Sequence, residues 1–277
     1  MSNLREVQMC QLQILKDLAK VCDNNNIDYM LACGSLIGAV RHGGFIPWDD
    51  DIDVYMTLDN YRRFSEVGQK CLGDKYFVQN WRTEKGYGHL WTQVRMNDTT
   101  SMPLKCKNWD VHFGIHIDIF PIIGISDDQH KEQKQEQYFE ICKALLAKEE
   151  MIAMDIKAEG KQKIINLLPR WFRRMMCGFF EKRFMIAPET TTISKAVWHI
   201  LSGRYPSEIF FEFTEISFED FYCKTMLRYH DYLTLKYGDY MVPPKKEDRV
   251  GHELNLGEIY MDVNTDFRVY KQKLNNE

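Results

Sequence analysis

Apolar residues near the start of the chain recur at three- and four-residue spacing: Leu4, Val7, Ile14, Leu18 and Cys22, with Leu15 and Ala19 beside them. That period predicts an amphipathic helix with one buried face, stopped by the turn-forming "DNNN" at 23–26. The next segment, "IDYMLACG", reads as a strand running into a short helix, "SLIGAVRH", that starts at Gly34-Ser35. In "GGFIPW" the glycines and Pro47 break regular structure while Phe45, Ile46 and Trp48 pack inward, which predicts an ordered loop. A strand "DIDVYM" follows, then a helix over roughly residues 60–72 capped by Asp59. Strands are expected at "KYFVQNW", "HLWTQVRM" and "FGIHIDIF", the last ended by Pro121.

From Asp127 to about Gly203 the pattern turns to long, charge-rich, helix-favouring stretches, which predict a helical insertion or subdomain. A further helix is expected over "FEDFYCKTMLRYHDYLTLKYG", then a proline- and charge-rich ordered loop, "DYMVPPKKEDRVGHEL", and a polar tail. The expected organisation is one catalytic domain over 1–277, with a core at approximately 1–125 and 205–277 and the helical insertion at approximately 126–204.

Composition narrows the picture. With 44% hydrophobic and 27% charged residues the chain is an ordinary globular protein. Its 36 basic and 40 acidic residues leave no positive field for nucleic acid, so duplex DNA or RNA is excluded as an expected partner. The eight cysteines show no C-x-x-C pair or regular spacing and read as buried thiols of a reducing compartment. "MSNLREVQMCQLQILKDLAK" lacks the apolar core of a secretory signal, so cytoplasmic residence is expected. "VHFGIHIDIFPIIGI" is too short and too polar to span a membrane.

Candidate chemistry concentrates where acids interrupt apolar structure. Asp49, Asp50, Asp51 and Asp53 crowd beside Trp48, Ile52 and Val54. Strand alternation directs Asp51 and Asp53 to one face and Ile52 and Val54 to the core. Two carboxylates about 7 Å apart on one strand face need water or a cation between them, and hard oxygen ligands favour Mg²⁺ or Mn²⁺. The bland alternative is an acidic loop in water. A second strand repeats the motif: Asp118 lies between Ile117 and Ile119 and shares a face with His116, so a third carboxylate joins the pair if the strands are neighbours.

The string "GSLIGAVRHGGFIPWDDDIDV", with "GIHIDIFPI" and "YGDYMVPP…R…H", closely resembles the LicD family, relatives of the fukutin-type transferases. The resemblance spans residues 1–125 and about 219–255 and hardly touches the helical middle. It implies an α+β fold: a nucleotidyltransferase-like mixed β-sheet core flanked by helices. It also implies metal-dependent transfer of a substituted phosphate from a CDP-linked alcohol to a glycan, releasing CMP. The usual bacterial group is phosphocholine from CDP-choline, delivered to teichoic acid, lipopolysaccharide or capsule; CDP-ribitol or CDP-glycerol is the alternative donor. Carried onto this chain, the metal-binding and catalytic acids are Asp51, Asp53 and Asp118, and Gly34 and Ser35 form the phosphate-facing turn. Asp118 either completes the metal site or serves as general base.

Arg41 and His42, at the end of the short helix, are candidates to contact donor phosphate, with a favourable helix C-terminus as the plain alternative. Arg95, Arg249 and His252 are further donor-binding candidates, against ordinary surface or loop-pinning roles, and Asp50 is an outer-shell candidate near the metal. A choline headgroup calls for an aromatic box, and several tryptophans and tyrosines are available without a means of choosing among them. Residues 161–184 interleave arginines and lysines with Trp171, Phe172, Met175, Met176, Phe179 and Phe180. That pattern suits a helix on an anionic membrane surface or one packed on the core, and a lipid-linked acceptor would make peripheral membrane contact useful. The rival functions are nucleotidyl transfer from an NTP, which releases pyrophosphate, and an inactive glycan- or nucleotide-binding module.

Overall fold

The N-terminal stripe forms helix α1 (Leu4–Asn24), with Val7, Ile14, Leu15, Leu18 and Cys22 buried. Asn3 caps it reciprocally: its side chain accepts the Glu6 N–H at 3.0 Å, and the Glu6 carboxylate accepts the Asn3 N–H at 2.8 Å. The computed structural model describes residues 2–249, 251 and 258–276. After α1 the chain forms β1 (Met30–Leu31), α2 (Cys33–His42), β2 (Asp53–Thr57), α3 (Leu58–Leu72), β3 (Tyr76–Gln79), β4 (Thr92–Met96) and β5 (Thr100–Pro103). Strand β6 (His116–Ile125) leads into α4 (Gln129–Leu146), α5 (Lys148–Ala153), α6 (Lys161–Leu167) and α7 (Arg170–Phe184). The remaining elements are β7 (Ile193–Val197), β8 (Leu201–Pro206), β9 (Phe213–Phe218), β10 (Phe221–Met226), α8 (Tyr229–Tyr237), β11 (Ile259–Asp262) and α9 (Phe267–Asn276).

The main sheet has the order β1-β2-β6-β4-β3, with β7 also paired to β6 and β8 beyond it. Strands β2 and β6 run parallel and the other pairs antiparallel, so the sheet is mixed and the fold is α+β. Helices α1 and α3 lie against β6. Val54, Tyr55 and Met56 of β2 and Ile117, Ile119 and Ile122 of β6 are buried, the near-continuous apolar run of strands covered on both faces.

Four local expectations are corrected. Strand β2 begins at Asp53, so Asp51 belongs to the preceding loop. Thr57 rather than Asp59 stands at the N-cap of α3, and Asp59 lies in its first turn. Pro121 does not end β6. The Asp118 N–H bonds the Ile52 carbonyl at 2.9 Å, so the nitrogen of Pro121, an odd number of residues on, faces the other edge. There β4 pairs as far as Ile119 and β7 takes over at Ile122, so the missing N–H falls between two neighbours. Lastly, the helix expected after Phe218 is half hairpin: β9 and β10 pair through a turn at Glu219, whose φ is 59°, before α8 begins.

The helical stretch ends at Phe184, short of the expected boundary near residue 204, and the chain returns to the sheet as β7 and β8. Residues 161–184 are two helices divided around Pro169, not one. Cys177 and Phe184 of α7 pack with Phe139, Cys142 and Leu145 of α4.

Helix α2 is pressed against the loop that it feeds. A Cβ on Gly38 would lie 2.4 Å from the Gly44 carbonyl oxygen and 3.1 Å from the Ile46 nitrogen. Alanine normally stabilises a helix interior by about 1 kcal/mol over glycine, but overpacking against backbone costs about 1–3 kcal/mol. Gly38→Ala is therefore expected to lower the thermal midpoint, by about 2–4 °C per kcal/mol in a protein of this size. Differential scanning fluorimetry checks this; an unchanged or raised midpoint contradicts it.

Candidate active site

The parallel register of β2 and β6 sets Asp53 directly beside Asp118. Two side chains hold this junction from outside the sheet. The Asp53 N–H donates to Ser35 Oγ at 2.9 Å, so the Ser35 hydroxyl fixes the start of β2. From α1, Gln8 Nε2 donates to the Asp49 carbonyl at 2.8 Å, and Gln11 Nε2 to the carbonyls of Asp50 at 2.7 Å and His116 at 3.2 Å. Both glutamines are buried. Their signal in the sequence is a pair of amides on the buried flank of an apolar helix, and it went unread.

Gripped by its carbonyls, the loop brings its carboxylates close together. Asp49, Asp50 and Asp51 each offer an oxygen within 4.8 Å of the others. Asp49, Asp51, Asp53 and Asp118 line a cavity of about 340 Å³, together with Gly34, Tyr55, Trp198 and Lys236. Asp50 is buried against Gly251, where a Cβ would meet its carboxylate at 2.4 Å. At Gly34 a Cβ would meet Asp49 Oδ2 at 2.8 Å, so a side chain there would displace Asp49. Burial, with Cys33, Asp51, Asp118 and Asp49 close by, raises the Asp53 carboxyl well above its ordinary value. Burial and Asp50 push Asp49 up to about 6. A cluster of hard oxygen donors that raise one another's pKa fits a divalent cation.

Asp118 is held from the β4 side. Its Oδ1 accepts Trp91 Nε1 at 3.0 Å and Gln93 Nε2 at 2.7 Å, while His116 Nε2 lies 3.9 Å from Oδ2. Arg95 is buried behind these groups: it donates to Gln93 Oε1 at 2.6 Å and to the Gly114 carbonyl at 2.7 Å, and lies 3.2 Å from His116 Nδ1. The structure thus seats Arg95 where it orients Gln93.

Arg41, His42 and Arg249 gather elsewhere. Arg41 Nη1 donates to the Tyr240 carbonyl at 2.8 Å, and Arg249 lies over the Trp48 ring at 4.8 Å, with His42 edge-on to the same ring at 6.2 Å. Arg41 and His42 stand at the far end of α2, on the order of 10 Å of helix from Gly34, and none of the three is among the described residues that line the two cavities beside the acids. Burial, Arg41 and Arg249 lower the His42 pKa, so it is neutral at pH 7. His252 lies outside the described residues.

Lys236 of α8 is the cation that sequence reading missed. Its Nζ lies 3.1 Å from both Cys33 Sγ and Tyr55 Oη. Burial acts to lower its pKa, but Cys33, Tyr205 and Asp53 outweigh that and raise it, so it stays charged. A lone lysine in "LTLKYG" carries no motif; only the fold brings it to the acids.

The chain matches the family model described as LicD/FKTN/FKRP, nucleotidyltransferase domain, over residues 26–153. It is 30% identical to the lipopolysaccharide cholinephosphotransferase LicD of Haemophilus influenzae over 267 residues, covering 91% of this chain and 96% of that protein. The chain belongs to the LicD family. It is a phosphotransferase, as its LicD-family membership shows. Shorter similarity, 40% over 55 residues, links it to the ribitol 5-phosphate transferase FKRP of Homo sapiens and of Mus musculus, covering 18% of this chain and 11% of theirs. The segment matched by the LicD model contains Asp53 and Asp118 and stops well before Lys236.

Because the folded-state pKa of Asp53 lies above its unfolded value of about 3.9, its ionised form weakens the fold at pH above the folded pKa. That penalty fades as pH falls toward the unfolded value. Asp53→Asn is therefore expected to raise the thermal midpoint of EDTA-treated protein at pH 7, with a gain that shrinks as pH is lowered to 4. A loss of stability at pH 7, or a gain independent of pH, contradicts this.

Proposed function

We propose that this phosphotransferase moves phosphocholine from CDP-choline to a sugar hydroxyl of lipopolysaccharide or a related cell-surface glycan, releasing CMP. The observation that carries the reading is similarity over nearly the whole length of the Haemophilus influenzae LicD protein; the acid-lined cavity is the site it calls for. Asp51, Asp53 and Asp118, with Asp49 beside them, would hold Mg²⁺ or Mn²⁺, which when bound neutralises the donor diphosphate and polarises its phosphoryl oxygens. Lys236 and the N-terminal turn of α2 at Gly34 supply positive potential to the same diphosphate. Trp91 and Gln93 keep the Asp118 carboxylate in one orientation as the chemistry proceeds. The acceptor oxygen bonds to the phosphorus of phosphocholine, the P–O bond to CMP breaks with its electron pair on CMP, and the hydroxyl proton passes to water.

A second reading, transfer of ribitol phosphate from CDP-ribitol, is favoured by the FKRP similarity. Incubation with Mg²⁺, phosphocholine-free lipopolysaccharide and either CDP-choline, CDP-ribitol or CDP-glycerol is expected to release CMP fastest from CDP-choline. Asp53→Ala is expected to lower the rate by about 10³-fold or more, roughly 4 kcal/mol of transition-state stabilisation, and EDTA to abolish it reversibly. Pyrophosphate release from CTP, or an active Asp53→Ala enzyme, defeats the proposal.

We also propose that α5, α6 and α7 rest on an anionic membrane surface. Among the described residues no helix is long and apolar enough to cross a membrane. Large apolar side chains nonetheless stand exposed along these helices and the turn between α5 and α6: Ile152, Ile156, Ile164, Leu167, Trp171 and Phe179. Exposed Lys157, Lys161, Lys163, Lys182 and Arg183 surround them, the composition of an interfacial surface. Arg173 takes no part, being buried on Glu149 and the Leu145 carbonyl. The protein should co-sediment with phosphatidylglycerol vesicles and not with phosphatidylcholine vesicles. Trp171→Glu with Phe179→Glu should cut the bound fraction at least about five-fold, while surface changes of this kind shift stability by only about 0.5 kcal/mol. Undiminished binding by the double variant contradicts the proposal.

A further inference from the structure

A second cavity, of about 280 Å³, meets the first at the acids. The two have Asp51, Asp118 and Trp198 in common. The first opens over β2 and α8, with Tyr55 and Lys236 in its wall; the second opens over β4 and β5, with Gln93 and Ser101. In the sheet, β2 and β4 lie on opposite edges of β6, so the cavities approach Asp118 from opposite sides. In-line displacement at phosphorus requires the entering and leaving oxygens to stand on opposite sides of the reacting atom. With the CMP leaving group in the Lys236 cavity, the entering hydroxyl comes from the other.

The walls of the second cavity suit a sugar. His89 stacks on Trp91 with ring centroids 4.2 Å apart, and Trp109 stands edge-on to His89 at 5.8 Å, giving flat faces for the C–H face of a pyranose. Burial, His199 and Arg95 push the His89 pKa down to about 3, so the ring offers neutral polarity rather than charge. Tyr87 also lines this cavity and is 2% exposed. Among the described residues, its hydroxyl has no hydrogen-bond partner. A buried hydroxyl without a protein partner leaves a donor and an acceptor open to a polar group. A trimethylammonium headgroup can neither donate nor accept a hydrogen bond, whereas a sugar hydroxyl does both. Glu150, half-buried in the same wall, is a second acceptor for sugar hydroxyls.

We infer that the second cavity binds the acceptor sugar, with Tyr87 as its polar anchor and Glu150 as a second specificity residue. The assignment rests on the reading of the chain as a glycan phosphotransferase. The test titrates phosphocholine-free oligosaccharide, released from lipopolysaccharide, into the protein without donor and follows the fluorescence of Trp91, Trp109 and Trp198. Wild type is expected to bind. Tyr87→Phe, which removes one hydroxyl and no packing, is expected to raise Kd roughly ten-fold, the loss of one hydrogen bond, with Glu150→Gln in the same direction. The free Tyr87→Phe protein is expected to melt no lower than wild type. In turnover, Tyr87→Phe should raise KM for the oligosaccharide and leave KM for CDP-choline within two-fold. No oligosaccharide binding by wild type, an unchanged Kd in both variants, or a raised KM for CDP-choline instead overturns the inference. Failure of wild type to use CDP-choline overturns only the donor assignment, because the binding titration contains no donor.

Discussion

Like charges that the fold forces together are the constraint on which this molecule turns. Asp53 and Asp118 are neighbours because β2 and β6 run parallel in one register, and Asp49 and Asp51 arrive from the loop just before. Left alone, such a group would spread apart or take up protons. The chain prevents the first from two directions: Gln8, Gln11 and Ser35 take the carbonyls and the amide of the acidic segment, and Trp91 and Gln93 hold the Asp118 carboxylate. The stability given up at the cluster is the usual cost of a site that waits for a ligand.

The surrounding layers extend that logic. Helix α1 is anchored by a capping box at one end, and its apolar stripe is interrupted only where an amide must reach the acidic loop. The β9–β10 turn, itself tied to α1 by the Arg5–Glu219 pair, clamps the same loop further back: Glu219 accepts the Phe45 N–H at 3.1 Å, and its own N–H reaches the Gly43 carbonyl at 2.8 Å. Behind Asp118, Arg95 holds Gln93, which holds the carboxylate. Each contact fixes the next one inward, toward the acids.

Much of this could be read from residue order, and the failures have physical reasons. The period of Leu4, Val7, Ile14 and Leu18 marked α1, and acids set among isoleucines and valines marked residues that come to line one cavity, because these are local patterns. Pro121 misled because a proline ends a strand only where its N–H is needed, and the change of neighbour from β4 to β7 is invisible locally. Strand β10 was taken for helix because its alternation is short and closely followed by α8. Lys236 was missed for a related reason: α8 reaches the acids through tertiary packing across some two hundred residues. Arg41 and His42 are close to the acids in sequence, but α2 carries them to its far end, so their distance from the acid-lined cavity is not visible in residue order.

Strand β6 has one further consequence. Its first half pairs with β4 and carries Asp118; its second half pairs with β7, the strand that closes the excursion through α4–α7. Register at the acids is therefore settled before the excursion leaves the sheet, and the returning strand docks downstream of it. Such a fold has a seam. Segments between Ile125 and Ile193 therefore stand outside the pairing that joins Asp53 to Asp118, and where they reach the site, at Glu150 and Met154, they shape the wall of the second cavity rather than the spacing of the acids.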